Sequence, residues 1–362
     1  MSEEKQFEEM VRENVPLAPM TTIGIGGLAR HFAEVTTAEA LVAGAQWARA
    51  EGKPLFVLGG GSNIIVADRG FDGLVLRVSI RGFEHDVNAD DVTLSAGAGE
   101  EWDPLVAYCV ERGWAGFECL SGIPGRVGAT PIQNVGAYGQ ETRDTMVSLE
   151  AFDLIEDKVV SMTAEECEFG YRTSRFKTRD HGRFVITRVM YRLLPYGQPT
   201  IRYPELERYL DASDSGARTV SSVRAAVLAL RRRKAMVIDP LDSDSRSVGS
   251  FFVNPTVSVQ EFETIKSRAG MSSDMPAFPV GENEIKLSAG WLIERSGIKR
   301  GYVLGNVGIS TKHALAIVNR GGGSASEVIK LKGLIQERVF ERFGIRLKPE
   351  PVFVGFDEDP EA

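Results

Sequence analysis

The sequence predicts an α+β protein divided into two or three domains. Three observations carry this. Apolar strand-like runs at 54–58, 64–67, 74–78 and 92–98 succeed one another without an intervening helix, the habit of α+β rather than regularly alternating chains. The 362 residues exceed one domain of roughly 100–200 residues. Finally, the stretch 120–141 holds five glycines and two prolines, so no regular element can run through it.

The elements follow in order. Residues 1–14 are charged and offer no apolar core for a secretory signal. Residues 24–29 fit the spacing G-x-G-x-x-A. A dinucleotide fingerprint must follow a strand and open a helix, however, and 15–19, V-P-L-A-P, is not expected to be a strand. A helix is expected from Thr36, with Glu39 completing a capping box, Leu41, Val42, Ala45 and Ala48 on its apolar face, and Gly52 stopping it. The strand at 54–58 runs into Gly59-Gly60-Gly61-Ser62-Asn63 and then a second strand at 64–67. No G-K-[ST] follows, so this is not a P-loop; its N–H groups, with Ser62 and Asn63, suit a pyrophosphate. Asp103 as N-cap and Pro104 at the first position open another helix. Leu105, Tyr108 and Cys109 share a face there, which makes Cys109 a core residue rather than a nucleophile.

The stretch 120–141 is long for a connection inside a domain. Its glycines permit positive φ and close approach, and its N–H groups can hold phosphate; a structural loop around a sheet edge is the alternative reading. Strands are expected at 146–154 and 184–194, and a loop at 211–219. A helix striped by Val223, Val227 and Leu230 follows. Lys234, eleven residues past Val223, falls about 20° from it around the helix. It either snorkels or aims into a domain interface, where ligands bind. Residues 239–248 form a polar break. Beyond it come a short helix at 288–297, strand-like runs at 302–307 and 314–318, and a long helix opened by Ser324 and Glu327. Val328, Leu331, Ile335 and Val339 stripe that helix and Gly344 ends it. The segment 345–354 reads as extended, with Glu350 between two prolines that bias it away from helix, and 357–362 as a frayed acidic tail.

Composition excludes several classes. A net charge of −8 and a pI near 5.3 argue against nucleic-acid binding. No apolar run approaches the roughly 18 residues of a membrane span. Cys109, Cys119 and Cys167 form no C-x-x-C pair, and His31, His85, His181 and His313 form no cluster, so no metal site or disulfide framework is expected and the cytoplasm is the natural compartment.

Five landmarks in order then resemble the UDP-N-acetylenolpyruvoylglucosamine reductase family. They are T-T-x-x-x-G-G from Thr21, L-G-x-G-S-N from Leu58, G-I-P-G-x-V-G-A-x-P-x-Q-N-x-G-A-Y-G from Gly122, Y-R-x-S-x-F-K from Tyr171, and G-S-F-F-x-N-P from Gly249. The segment around Tyr203 resembles the subtype with a tyrosine-bearing loop that closes over substrate.

The resemblance implies a two-part FAD-binding region of vanillyl-alcohol-oxidase type, residues 1–78 and 79–236. A third α+β domain, 237–348, would bind the UDP-sugar, and the strand at about 349–362 would return to the first region. It implies non-covalent FAD held by Gly59, Gly60, Gly61, Ser62, Asn63, Ser121, Gly122, Gly125, Gly128, Ala129, Gln133, Asn134, Gly136 and Ala137. NADPH would be the hydride donor and UDP-N-acetylglucosamine enolpyruvate the substrate, reduced by a monomer without metal. Arg172 would stabilise charge on the substrate carboxylate, Ser250 would donate a proton, and Glu350 would assist Arg172. Tyr203 and Lys234 would hold the diphosphate and Asn254 a polar group of substrate or nicotinamide. Two other readings remain: a same-fold FAD enzyme oxidising a sugar or alcohol, and a flavin- or nucleotide-sugar-binding protein without turnover.

Overall fold

The computed structural model describes residues 3–213, 218–269, 275–357 and 360. By internal contact the chain falls into two compact units, each made of three chain segments. The first takes 1–15, 29–61 and 72–237; the second takes 16–28, 62–71 and 238–362. This grouping cuts across the three regions expected from the sequence.

An antiparallel sheet organises the first unit. Its strand order is Lys158–Thr163, Met146–Asp153, Phe184–Pro195, Val92–Gly97, Phe83–Val87, with Trp114–Ala115 added at the end of the central strand. The central strand buries Val189, Tyr191 and Leu193 at every second position, the period of a strand packed on one face. A second sheet has the order Arg12–Pro16, Leu28–Val35, Phe71–Val78, Leu55–Leu58, its last pair parallel. Trp102, Phe117 and Tyr191 meet edge-on in the core, with centroids 4.9 Å and 5.0 Å apart. Buried aromatic polar atoms need partners, and both of these find them on the glycine-rich stretch. The Trp102 indole donates to the Leu120 carbonyl at 3.2 Å, and the Tyr191 hydroxyl pairs with Thr130 at 2.9 Å. The core thus fixes that stretch.

The second unit joins distant segments around the helix Ala325–Phe343. Val328, Leu331, Ile335, Val339 and Phe343 are buried along one side. Ser324 and Glu327 form the expected capping box, and Gly344 ends the helix at φ 74°. Asp68, from the 62–71 segment, accepts from the backbone N–H groups of Ala325 at 2.6 Å and Ser326 at 2.9 Å. Thr22 donates to the Ser247 carbonyl at 2.6 Å, and Gly27 lies where a Cβ would meet the Asp68 carbonyl oxygen at 2.3 Å. The first landmark is therefore a stitch within this unit. Val352–Val354 pairs in parallel with Ile64–Val66.

Several sequence expectations change. The helix at 38 is capped by Thr37, not Thr36; its hydroxyl accepts from the Ala40 N–H at 3.1 Å. Arg12–Pro16 is a strand, but Leu28–Val35 after the first glycines is also a strand, so the dinucleotide fingerprint still lacks its helix. The helix Trp102–Glu111 begins one residue before Asp103, which frees that carboxylate from capping for other contacts. The run 302–307 breaks into Val303–Leu304 and Val307–Ile309 around Gly305 at φ 59°. Only Val352–Val354 of 345–354 is strand. Cys109 is fully buried, and burial pushes its thiol up to about 12, as a core residue requires. Part of the expected loop at 211–219 and part of the tail at 357–362 lie outside the described residues. Among the described residues no helix is long and apolar enough to cross a membrane.

Candidate active site

Two backbone loops meet in the first unit. A Cβ on Gly60 would stand 2.7 Å from the Gly125 Cα, and one on Gly59 would touch Ala129 at 3.8 Å. Gly128 packs as tightly on Ala98, at 2.5 Å from its Cβ. Only glycine permits such backbone-to-backbone approach. The N–H groups of Gly60, Gly61 and Ser62 find no protein acceptor among the described residues. A glycine-walled turn with unclaimed donors suits the pyrophosphate of a flavin dinucleotide. On these grounds the residues present fit FAD.

A charged clamp that sequence reasoning missed holds the second of these loops. Asp103 accepts from the Gly122 N–H at 2.6 Å and from Arg224 at 2.6 Å and 3.0 Å. Burial alone would raise the Asp103 carboxyl, but the bonds from Arg224 and Gly122 outweigh it and hold it below the usual range. Arg231 donates to the carbonyls of Gly122 at 3.3 Å and Met236 at 2.7 Å. Glu118, fully buried, accepts from Gly116 N–H, Gln140 and Thr200 N–H, each at 2.7 Å, and so ties both ends of the stretch to the approach to Tyr203. The Asp103-Pro104 pair, read as a helix opening, was all that the sequence analysis had marked in this network.

Not every expected cofactor contact points outward. Ser121 is buried and donates to the Glu118 carbonyl at 2.7 Å. Asn134, also buried, is left-handed at φ 48°; its amide donates to Glu141 at 2.8 Å and to the Gly170 carbonyl at 3.0 Å, and its carbonyl accepts from Arg143 N–H at 3.1 Å. Both side chains build the loop itself. Gly136 and Ala137 form half of a two-strand hairpin with Gln140–Glu141, and Gln133 lies on the turn leading into it.

Arg172 lies next to the Gly170 that Asn134 holds. Its backbone is left-handed at φ 56°, an uncommon conformation for a bulky residue that concentrates at functional sites. Its guanidinium donates to the Gly136 carbonyl at 2.6 Å and lies 5.2 Å from the Tyr171 ring centre. Sequence-distant parts of the first unit thus fix its head.

Tyr203, Lys234 and Tyr138 cluster in the same unit. Tyr203 precedes the helix Pro204–Asp211 and is 46% exposed; its ring meets Tyr138 edge-on at 5.5 Å. Burial, then the nearby Glu205, raises the Tyr203 phenol, so it remains a protonated donor at neutral pH. Lys234 ends the helix Val220–Arg233, 5.9 Å from the Tyr138 ring centre, with Nζ 2.6 Å from Glu205.

Ser250 and Glu350 belong to the second unit, where backbone bonds bring their segments side by side. The Glu350 N–H donates to the Phe251 carbonyl at 2.9 Å, Val253 N–H to Lys348 at 3.0 Å, and Phe252 bridges to Pro349. Asn63 closes the arrangement, donating from its amide to the Glu350 carbonyl at 3.3 Å. The Ser250 hydroxyl is 3.4 Å from His313 Nε2, a neighbour the sequence did not single out. Asn254 accepts from the first N–H of the helix Ala289–Arg295 at 3.0 Å. Among the described residues no group of three or more metal-ligating side chains occurs.

Comparison with known proteins agrees with this arrangement. Residues 29–162 match the model of an FAD binding domain, and 239–354 match that of the C-terminal domain of UDP-N-acetylenolpyruvoylglucosamine reductase. The reductase of that name from Thermobifida fusca is 47% identical over 349 residues, covering 94% of this chain and 97% of the relative. The one from Mycobacterium tuberculosis is 42% identical over 358 residues, covering 95% of each. The crystal structure of the Thermus caldophilus reductase superposes with a TM-score of 0.63 at 27% identity, covering 95% of this chain and all of that one. The α+β fold with an FAD-binding region is thereby borne out. With two relatives above 40% identity along nearly their whole length and the five landmarks in place, this chain belongs to the UDP-N-acetylenolpyruvoylglucosamine reductase family.

Proposed function

We propose that the chain reduces UDP-N-acetylglucosamine enolpyruvate to UDP-N-acetylmuramate, with NADPH as hydride donor, as a cytoplasmic monomer in peptidoglycan precursor synthesis. The observation that carries the reading is the near-full-length likeness to reductases of that name, with Arg172 and Ser250 standing in their motifs. FAD, when bound, would supply the hydride chemistry between NADPH and the enolpyruvyl group.

The chain's own groups do the rest. Electrons pushed toward the substrate carboxylate build negative charge there, which a fixed guanidinium stabilises best. Arg172, permanently charged and able to grip a carboxylate with two donors, takes that role. Ser250 gives its Oγ proton to the neighbouring carbon, and Glu350 assists Arg172 at the enol. Lys234 and the protonated Tyr203 hold the diphosphate, and Asn254 holds a polar group of the substrate or nicotinamide. Residues 1–78 with 349–362, and 79–236, are assigned to the cofactor, and 237–348 to the UDP-sugar. Of the expected cofactor contacts, the Gly59–Asn63 turn and Gly122, Gly125, Gly128 and Ala129 suit the flavin dinucleotide best.

The test is a visible spectrum under anaerobic conditions, taken before NADPH, after NADPH, and after the enolpyruvyl sugar. Yellow protein that bleaches and then regains colour with the sugar supports the reaction and substrate together. Bleaching without recovery discards the substrate, and colourless protein that takes up no FAD discards the cofactor.

A further inference from the structure

The salt bridge between Glu205 and Lys234 has no part in the chemistry above, yet it occupies the one lysine assigned to the diphosphate. Nζ and the Glu205 carboxylate are 2.6 Å apart, and each side chain is a third exposed. Tyr203 and Glu205 flank Pro204, which opens the helix, so a single tight turn carries both the tyrosine and the carboxylate. Tyr138 holds that turn against the end of the neighbouring helix, with its ring 5.5 Å from Tyr203 and 5.9 Å from Lys234 Nζ. Four other cations of the two helices are engaged elsewhere, Arg224 with Asp103 among them. Arg208 donates to Pro204 at 3.1 Å, Arg233 lies over Tyr209, and Arg231 holds the Gly122 loop.

We propose that Glu205 is an internal competitor for the diphosphate anchor: its carboxylate holds Lys234 until a diphosphate displaces it. This rests on the assignment of Lys234 to the diphosphate. An anion that takes Lys234 must first break the Glu205 pair, so substrate and product both bind more weakly than the bare lysine would allow. The two share one UDP group, and the product must leave before the next NADPH enters. A ground-state penalty common to both lowers affinity without touching the groups that act in the transition state.

The test is the affinity of the FAD-loaded protein for UDP, by calorimetry, in four forms: wild type, Glu205→Gln, Lys234→Gln and the double variant, each first checked for an unaltered flavin spectrum. Releasing a partly exposed ion pair is expected to tighten UDP binding about two- to fivefold in Glu205→Gln. Lys234→Gln is expected to weaken it, and the gain from Glu205→Gln is expected to vanish in that background. Unchanged or weaker binding in Glu205→Gln, with Lys234→Gln still weakened, overturns the competitor and leaves the anchor standing. A gain that persists without Lys234 makes Glu205 a distant charge, which also overturns it. Should Lys234→Gln bind UDP as wild type does, the anchor assignment fails and the proposal with it.

Discussion

In the first unit the two candidate cofactor loops are held by backbone pressed on backbone, with the Gly60 position 2.7 Å from the Gly125 Cα once a Cβ is drawn. In the second, Ser250 and Glu350 are held by strand-like hydrogen bonds between 251–253 and 348–350. Gly290 in that unit would gain a Cβ at 3.5 Å from Leu315, a normal contact. The difference teaches where each site is vulnerable. The cofactor loops fail when atoms are added, and the Ser250 and Glu350 segments when a reacting group or a backbone pairing is removed.

The largest expected effect is at Ser250. Ser250→Ala removes the assigned proton donor and lowers reduction of the enolpyruvyl sugar by about 10²–10⁴-fold, with flavin reduction by NADPH intact. Rapid-mixing measurement of the two half-reactions checks this, and equal loss in both would strip Ser250 of the role. Next is Gly60→Ala. Overpacking of the loop contact costs about 1–3 kcal/mol, so FAD affinity falls on the order of ten- to a hundredfold, read by flavin fluorescence during titration. Wild-type affinity there would mean that the loops yield, and the contrast between the two sites would collapse.

Asp103→Asn sharpens the comparison from the side-chain direction. It leaves Arg224 partly buried without its charged partner and lowers stability by about 1–3 kcal/mol. The folded Asp103 titrates below its ordinary 3.8, so its contribution is complete above that value and is lost as pH falls through the lower folded one. Denaturant midpoints should therefore separate wild type from Asp103→Asn at pH 7 and converge in strong acid; a gap that persists in acid would assign the effect to packing. The smallest effect is Gly290→Ala, expected to stabilise by about 0.4–1 kcal/mol because alanine suits a helix interior better. A loss of stability at that site would show that the helix around Gly290 has no room for a methyl group.

The contrast also explains what the sequence made legible. Glycine patterns, caps and apolar stripes are local, so the 120–141 stretch, the Ser324–Glu327 box and the Val223, Val227 and Leu230 stripe were readable from neighbouring residues. Arg172 and Ser250 became legible only through whole motifs, and Glu350 only through the family resemblance, since each alone is an ordinary polar residue. Partnerships across sequence were not. Asp103 looked like a helix cap because D-P opens many helices, yet its carboxylate reaches Arg224, 121 residues on. Glu118 is fully buried, and besides the nearby Gly116 N–H its carboxylate depends on Gln140 and the Thr200 N–H, 22 and 82 residues on. Nor does anything near Ser250 announce His313, which arrives from 63 residues away.

The parallel pairing of Val352–Val354 with Ile64–Val66 has a consequence for how the protein is made. Residues of the first unit end at 237, so its core can close while a third of the polypeptide is still on the ribosome. The second unit contains 16–28 and 62–71, which emerge early, but its sheet edge at Ile64–Val66 waits for a partner nearly 290 residues later. Pairings over such separations form slowly, because the intervening chain must first be ordered. Until translation reaches Val354, the fully buried Ile65 and an open strand edge stay exposed to pairing with other chains. The order of synthesis therefore leaves the unit that carries Ser250 and Glu350 as the last to form.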